Sequence, residues 1–141
     1  MPGTGYTTRP SYAERLAAVV NPPDVLVLEG GASDTNATTT QLTSAVTAVV
    51  RSVKTRFPST TVVLLGPVAM EQPPDQGLVR VNHTLAAVAH AEHVAYVDPV
   101  PWITAANADR YVSAAGFYPN AAGHHYLGTQ LAAALRALLH P

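Results

Sequence analysis

The spacing of apolar residues along the chain switches several times between a helical period and unbroken runs. Over residues 10–20 (PSYAERLAAVV), Tyr12, Leu16 and Val19/Val20 recur on one helical side behind Pro10, which suits a first turn, and Asn21-Pro22-Pro23 ends the pattern. The run DVLVLEGG, 24–31, has no such period. It is apolar at nearly every position and closes on two glycines, as a strand buried on both faces does. Leu42, Val46, Val49/Val50, Val53 and Phe57 then predict a helix over 38–57, stopped by Pro58. TVVLLGP, 61–67, predicts a second buried strand. Leu78, Val81, Leu85 and Val88 predict a helix over 75–92, and HVAYVDP, 93–99, a third, shorter strand. After a loop with one helical turn at 101–113, Leu127, Leu131, Leu135 and Leu138 predict a last helix over 121–139.

The order α-β-α-β-α-β-α with apolar strands predicts a three-layer, flavodoxin-like α/β fold: a parallel sheet with helices on both faces. Ligands of such sheets bind beyond the C-terminal strand ends. That makes Gly30–Thr38, Gly66–Pro74 and Pro99–Asn120 the candidate site loops. No repeat or linker interrupts the 141 residues, so a single domain is expected. Three strands make a small sheet for this architecture. The 24–31 run has the character of a central strand, yet nothing ahead of it can pair with its other side. The expectation is an N-terminally truncated domain, short of one or two β-α units of about 40–60 residues in all. An open strand of that kind invites another chain, so a homodimer through 24–31 is also expected.

Charge narrows the partners. Only 12% of residues are charged and the net charge is −1, which gives no electrostatic reason to expect nucleic acid or an anionic membrane. No apolar run approaches the roughly 18 residues that span a bilayer, and MPGTGYTTRP lacks the apolar core of a signal peptide. The absence of cysteine excludes disulfides, thiolate nucleophiles and Cys-ligated metals, and leaves the compartment open. His83, His90, His93 and His140 are scattered, and the adjacent His124 and His125 point to different sides of a helix, so no metal site is expected. Gly30-Gly31 is followed by neither phosphate-binding glycine pattern, and no cofactor is expected.

Three segments then line up in order: Gly3-Thr4-Gly5-Tyr6-Thr7, Gly30-Gly31-Ala32-Ser33-Asp34-Thr35 directly after a strand, and Ala115-Gly116-Phe117-Tyr118-Pro119-Asn120-Ala121-Ala122-Gly123-His124. The combination resembles the SGNH/GDSL hydrolase family of esterases and lipases, most closely its small actinobacterial members, over nearly the whole chain. The resemblance implies four blocks: a Gly-Asp-Ser nucleophile segment, a glycine and an asparagine that donate to the oxyanion, and a final Asp-x-x-His with base and orienting acid. Acyl transfer needs each of these roles.

The chain departs from that pattern at the reacting positions. It contains no Gly-Asp-Ser segment. Gly5 (or Gly3) falls at the oxyanion glycine, and Ser33 falls where the asparagine amide belongs, a hydroxyl donor of shorter reach. In the last block Ala115 occupies the aspartate position and Tyr118 the histidine position. A phenol with an ordinary pKa of about 10 offers no base near neutral pH, and Ala115 can orient nothing. The resemblance therefore implies an esterase scaffold that has lost ester hydrolysis. The alternatives are a non-enzymatic module that binds a small acyl or carbohydrate ligand or assembles through the open strand, and, third, a relocated site around Ser33, Asp34 and His124.

Bland roles compete for the same residues. Asp34 is expected to tie down its own loop or cap the following helix, with Gly31 making the tight turn before it. Asp98 and Asp109 read as loop anchors. His124 reads as a packing histidine, His125 as a surface one, and Trp102 as either an acyl-pocket wall or a core contact. Pro119-Asn120 reads as the entry to the last helix.

Overall fold

The computed structural model describes residues 6–7 and 11–140. The chain divides into two compact units: residues 1–67 with 76–98, and residues 68–75 with 99–141.

The first unit is built on three parallel strands, β1 (Val25–Glu29), β2 (Thr61–Leu65) and β3 (Ala95–Val97), in the order β1-β2-β3. Helix α2 (Thr39–Arg56) joins β1 to β2 and α3 (Gln76–Ala91) joins β2 to β3. Register runs Val25↔Thr61 to Glu29↔Leu65 and Val63↔Ala95 to Leu65↔Val97. Side chains alternate across a strand. Leu28, Val62 and Leu64 therefore share one face, where they pack with Leu42, Val46, Val50 and Val53 of α2 and Val81, Leu85 and Val88 of α3. Val63, Leu65 and Val97 point the other way and are buried too, which is why these strands read as unbroken apolar runs. This is the parallel, flavodoxin-like α/β arrangement that the alternation predicts.

The elements are shorter than their apolar runs. Helix α1 (Tyr12–Leu16) starts on a reciprocal cap between Ser11 and Glu14 but stops well before residue 20. Tighter turns close it, with Ala18 N–H donating to Arg15 O and Val19 N–H to Leu16 O. The Arg56 guanidinium donates to the same Leu16 carbonyl at 2.7 Å, and Val20, expected on the apolar side, is 77% exposed. Strand β1 ends at Glu29, although Gly30 N–H still donates to Leu65 O. Gly31 then turns the chain at φ +109, where a side chain would be strained and its Cβ would lie 2.7 Å from Val81 Cγ1. Helix α2 is capped by Thr38 and Gln41.

The second unit holds a 3-10 turn at Val100–Trp102, α4 (Ala108–Tyr111) and α5 (Ala121–Leu139). Gln72 Nε2 anchors the 68–75 segment by donating to Ile103 O. The Tyr111 and Tyr126 rings stack at 4.2 Å and 4°, and Tyr126 OH donates to Trp102 O. Helices α4 and α5 approach so closely that a Cβ on Gly123 would meet Tyr111 O at 2.0 Å. The apolar stripe of α5 is only half-buried at Leu127, Leu131 and Leu135, and Leu138 is exposed.

Candidate functional site

In the first unit the site residues sit on the loop between β1 and α2. Gly31 starts it, Ala32–Asp34 form a 3-10 turn, and Ser33 is half-buried. Asp34 is 1% exposed. Its carboxylate accepts from Tyr6 N–H at 2.7 Å, from Thr7 N–H at 2.9 Å and from the Thr7 hydroxyl. So Asp34 neither caps α2 nor merely ties down its own loop. It grips the 6–7 segment across 27–28 residues of sequence, and both of its oxygens are engaged. These contacts give Asp34 an anchoring role within the first unit. Gly5 lies outside the described residues.

The loop is held from α3 as well. Arg80 donates to Thr35 O at 2.6 Å and to Ala37 O at 2.7 Å. Asn82, 2% exposed, donates to Pro67 O and Leu78 O while Tyr96 OH donates to its Oδ1 at 2.7 Å. That network pins the exit of β2, where a Cβ on Gly66 would sit 1.8 Å from Asn82 Oδ1. Arg80 and Asn82 escape the sequence reading. Their one signal is a polar residue beside Val81 on an otherwise apolar helix side. Burial and the neighbouring Asp98 charge raise the Tyr96 phenol above its usual pKa, so Tyr96 remains a donor across the neutral range. An open groove of about 900 Å³ runs from Thr7 and Ser33 past Thr40, Gln41 and Ser44.

In the second unit residues 112–119 form a closed loop. Val112 and Pro119 make an antiparallel bridge, Ser113 N–H donates to Tyr118 O at 2.8 Å, and Gly116 turns the tip at φ +80. Ala115 is exposed, and Phe117 and Tyr118 are 65% and 64% exposed. Ala115 and Phe117 line a groove of about 1000 Å³ with Met70, Gln72, Asp109 and Ser113, and Tyr118 does not. Asn120 is the N-cap of α5: its Oδ1 accepts from Gly123 N–H at 2.8 Å, and its Nδ2 donates to Arg110 O and Val112 O. Its amide is thus consumed by the loop.

His124 is exposed in the first turn of α5, so it is not the packing histidine expected, although it shares a helical side with the half-buried Leu127 and Leu131. His125 is exposed. Asp109 is exposed in the first turn of α4, where a carboxylate complements the helix dipole. Trp102 is half-buried and contributes its carbonyl, to Asn107 and Tyr126. Among the described residues no three His, Asp or Glu side chains converge as metal ligands, and no helix is long and apolar enough to cross a membrane.

The chain matches the model of the GDSL-like lipase/acylhydrolase family over residues 3–126. It is similar in fold to a crystal structure of a structural-genomics target from Lactobacillus plantarum, with a TM-score of 0.75 and 15% identity over 95% of this chain and 77% of that one. A second crystal structure aligns with a TM-score of 0.74 and 20% identity, over 95% of this chain and 75% of the other. No curated protein matches the chain.

Proposed function

The chain belongs to the GDSL-like lipase/acylhydrolase family, and from that premise we propose that it keeps the scaffold of an ester hydrolase without the activity. In this reading residues 1–141 act as one hydrolase-like domain. What supports it is the 115–118 segment: the loop, its cap and the following helix are formed, and by the resemblance Ala115 and Tyr118 take the acid and base positions. A base must accept the nucleophile's proton, and a neutral phenol has no ring nitrogen with which to take it. The family's remaining means of rate enhancement would be an oxyanion pocket with Gly5 and Ser33. Such a pocket without a triad leaves only about 10³–10⁴-fold over water in triad enzymes, and here it would have no nucleophile to serve.

Purified protein is expected to hydrolyse p-nitrophenyl acetate no faster than a heat-treated control. Turnover well above that control, abolished by Ser33→Ala, would overturn the reading. The double variant Ala115→Asp/Tyr118→His is expected to stay equally inert, because it supplies acid and base but no serine nucleophile.

A second reading, a binding module for a neutral small ligand, is favoured by the groove beside Ser33. Its hydroxyl- and amide-bearing side chains (Thr7, Ser33, Thr40, Gln41, Ser44) suit a carbohydrate better than an ion. Isothermal titration with maltose and with octanoate tests it, and heat of binding from neither ligand would dismiss it.

A further inference from the structure

Three stretches of the second unit, 70–73, 105–109 and 112–117, supply the residues that line the groove of about 1000 Å³. Its charge is one-sided. Glu71 and Asp109 both line it and both are exposed, and among the described residues neither carboxylate has an ion-pair or hydrogen-bond partner. No lysine, arginine or histidine is among the lining residues. Arg110, next to Asp109 in sequence, lies instead over the Tyr111 ring at 5.3 Å. Much of the remaining wall is made of methyl-bearing side chains such as Met70, Ala108 and Val112. Phe117 adds an aromatic ring that is 65% exposed. The ring stands on a braced loop, closed by the Val112–Pro119 bridge and by Ser113 N–H donating to Tyr118 O. One polar atom in this wall is left over. The Ser113 Oγ is enclosed and has no hydrogen-bond partner, an unfavourable state for a hydroxyl. Ser113 lines the groove and is only half-buried, and its hydroxyl turns on a single side-chain torsion.

We propose that this groove binds a small quaternary ammonium compound that carries a hydroxyl group. The cation is held by the Phe117 ring and the Glu71 and Asp109 carboxylates, and the hydroxyl pairs with Ser113 Oγ. The chemistry of the wall selects that class. A metal ion does not fit, because among the described residues no three His, Asp or Glu side chains converge as ligands, and hard cations take six or more oxygens. A primary ammonium or a guanidinium brings three to five donors that need acceptors, and a wall of methyl groups offers few. A quaternary ammonium donates no hydrogen bond. Its methyl groups pack on apolar side chains while its charge is attracted by carboxylates and by the face of an aromatic ring. A groove with apolar walls and a few polar groups is the usual form of a small-ligand site. The inference does not depend on the loss of hydrolysis, since neither carboxylate stands at a position that the family resemblance gives to a reacting group. It is also separate from the groove beside Ser33, which belongs to the first unit.

Three probes separate the contributions: choline, its uncharged carbon isostere 3,3-dimethylbutan-1-ol, and ethyltrimethylammonium, which keeps the charge and lacks the hydroxyl. Each is titrated at constant ionic strength into the nitrogen-15-labelled full chain, and amide NMR shifts are followed. Choline is expected to give saturable shifts at residues 109–117 with a dissociation constant at or below about 10 mM. The isostere is expected to bind about tenfold more weakly or worse, and ethyltrimethylammonium about threefold more weakly. Phe117→Leu and Asp109→Asn alter exposed side chains, and each is expected to weaken choline about threefold while leaving the isostere unchanged. Ser113→Ala is expected to bring choline down to the affinity of ethyltrimethylammonium and to leave the latter as it was. The amide spectrum of each variant shows that it folds. The absence of saturable shifts at 109–117 up to about 50 mM choline would overturn the proposal. So would equal binding of choline and its isostere, equal binding of choline and ethyltrimethylammonium, or shifts confined to Thr7, Ser33 and Thr40.

Discussion

Replacing Asp34 by Ala removes the acceptor for two backbone amides and one hydroxyl at a site that is 1% exposed. Buried hydrogen bonds to a charged group contribute about 1.5–3 kcal/mol each, and they are not additive when shared. Asp34→Ala is therefore expected to cost about 2–4 kcal/mol in urea unfolding and to speed amide exchange at Tyr6 and Thr7 ahead of the core. A carboxylate that merely capped its own loop would leave those two amides protected as before. The residue was legible in the sequence as a candidate, but its role was not. Its partners lie 27 and 28 positions upstream, and no local spacing reports a contact of that range.

At the scale of elements, the close packing of α4 on α5 rests on one missing methyl. Gly123→Ala would place a Cβ 2.0 Å from Tyr111 O, so α4 must shift and the stacked Tyr111–Tyr126 pair with it. The expected cost is about 1–3 kcal/mol, with a weakened tyrosine signal in near-UV circular dichroism. Asn120→Ala removes the α5 cap and both bonds that tether the chain at Arg110 and Val112. A lost cap alone costs about 1 kcal/mol, and the tethers raise the expected loss to about 2 kcal/mol, measured by urea denaturation. The elements themselves were legible, since α2, α3 and α5 follow their 3.6-residue stripes to within a residue or so. Strand ends and the short α1 were not. An apolar run continues past the point where its ladder stops, and α1 stops where Arg56, 40 residues on, takes the Leu16 carbonyl.

For the molecule as a whole, alkali probes the packing of the first unit. Burial, with the Glu29 charge next, pushes the Tyr12 phenol up to about 12. Burial also raises Tyr6 and Tyr96, with help from Tyr12 and Asp34 in one case and Asp98 in the other. An unfolded chain releases these protons near pH 10 while the folded chain still holds them. The unfolded state then binds fewer protons, and stability falls as pH rises. The urea midpoint is expected to be level from pH 8 to 9 and to drop above 10, with a shallower drop in Tyr12→Phe. An equal drop in that variant would show that Tyr12 is not part of the cause. At the acid end, the Arg51 guanidinium beside Glu92 holds that carboxyl below its usual range. The pair spans α2 to the end of α3 at an exposed site, so its loss as pH falls should pass almost unnoticed.

The sequence by itself determined the alternation of strand and helix, the parallel sheet and the family. Each of these depends on residue type or on spacing within about one element, which the chain carries directly. Tertiary structure decided the rest: that Asp34 holds Tyr6 and Thr7, that Arg80 and Asn82 brace the strand exits, and that His124 faces solvent. Those outcomes are set by desolvation and by hydrogen-bond geometry between segments tens of residues apart. A buried donor or acceptor must find its partner wherever the fold brings one, and the order of residues along the chain does not say where that is.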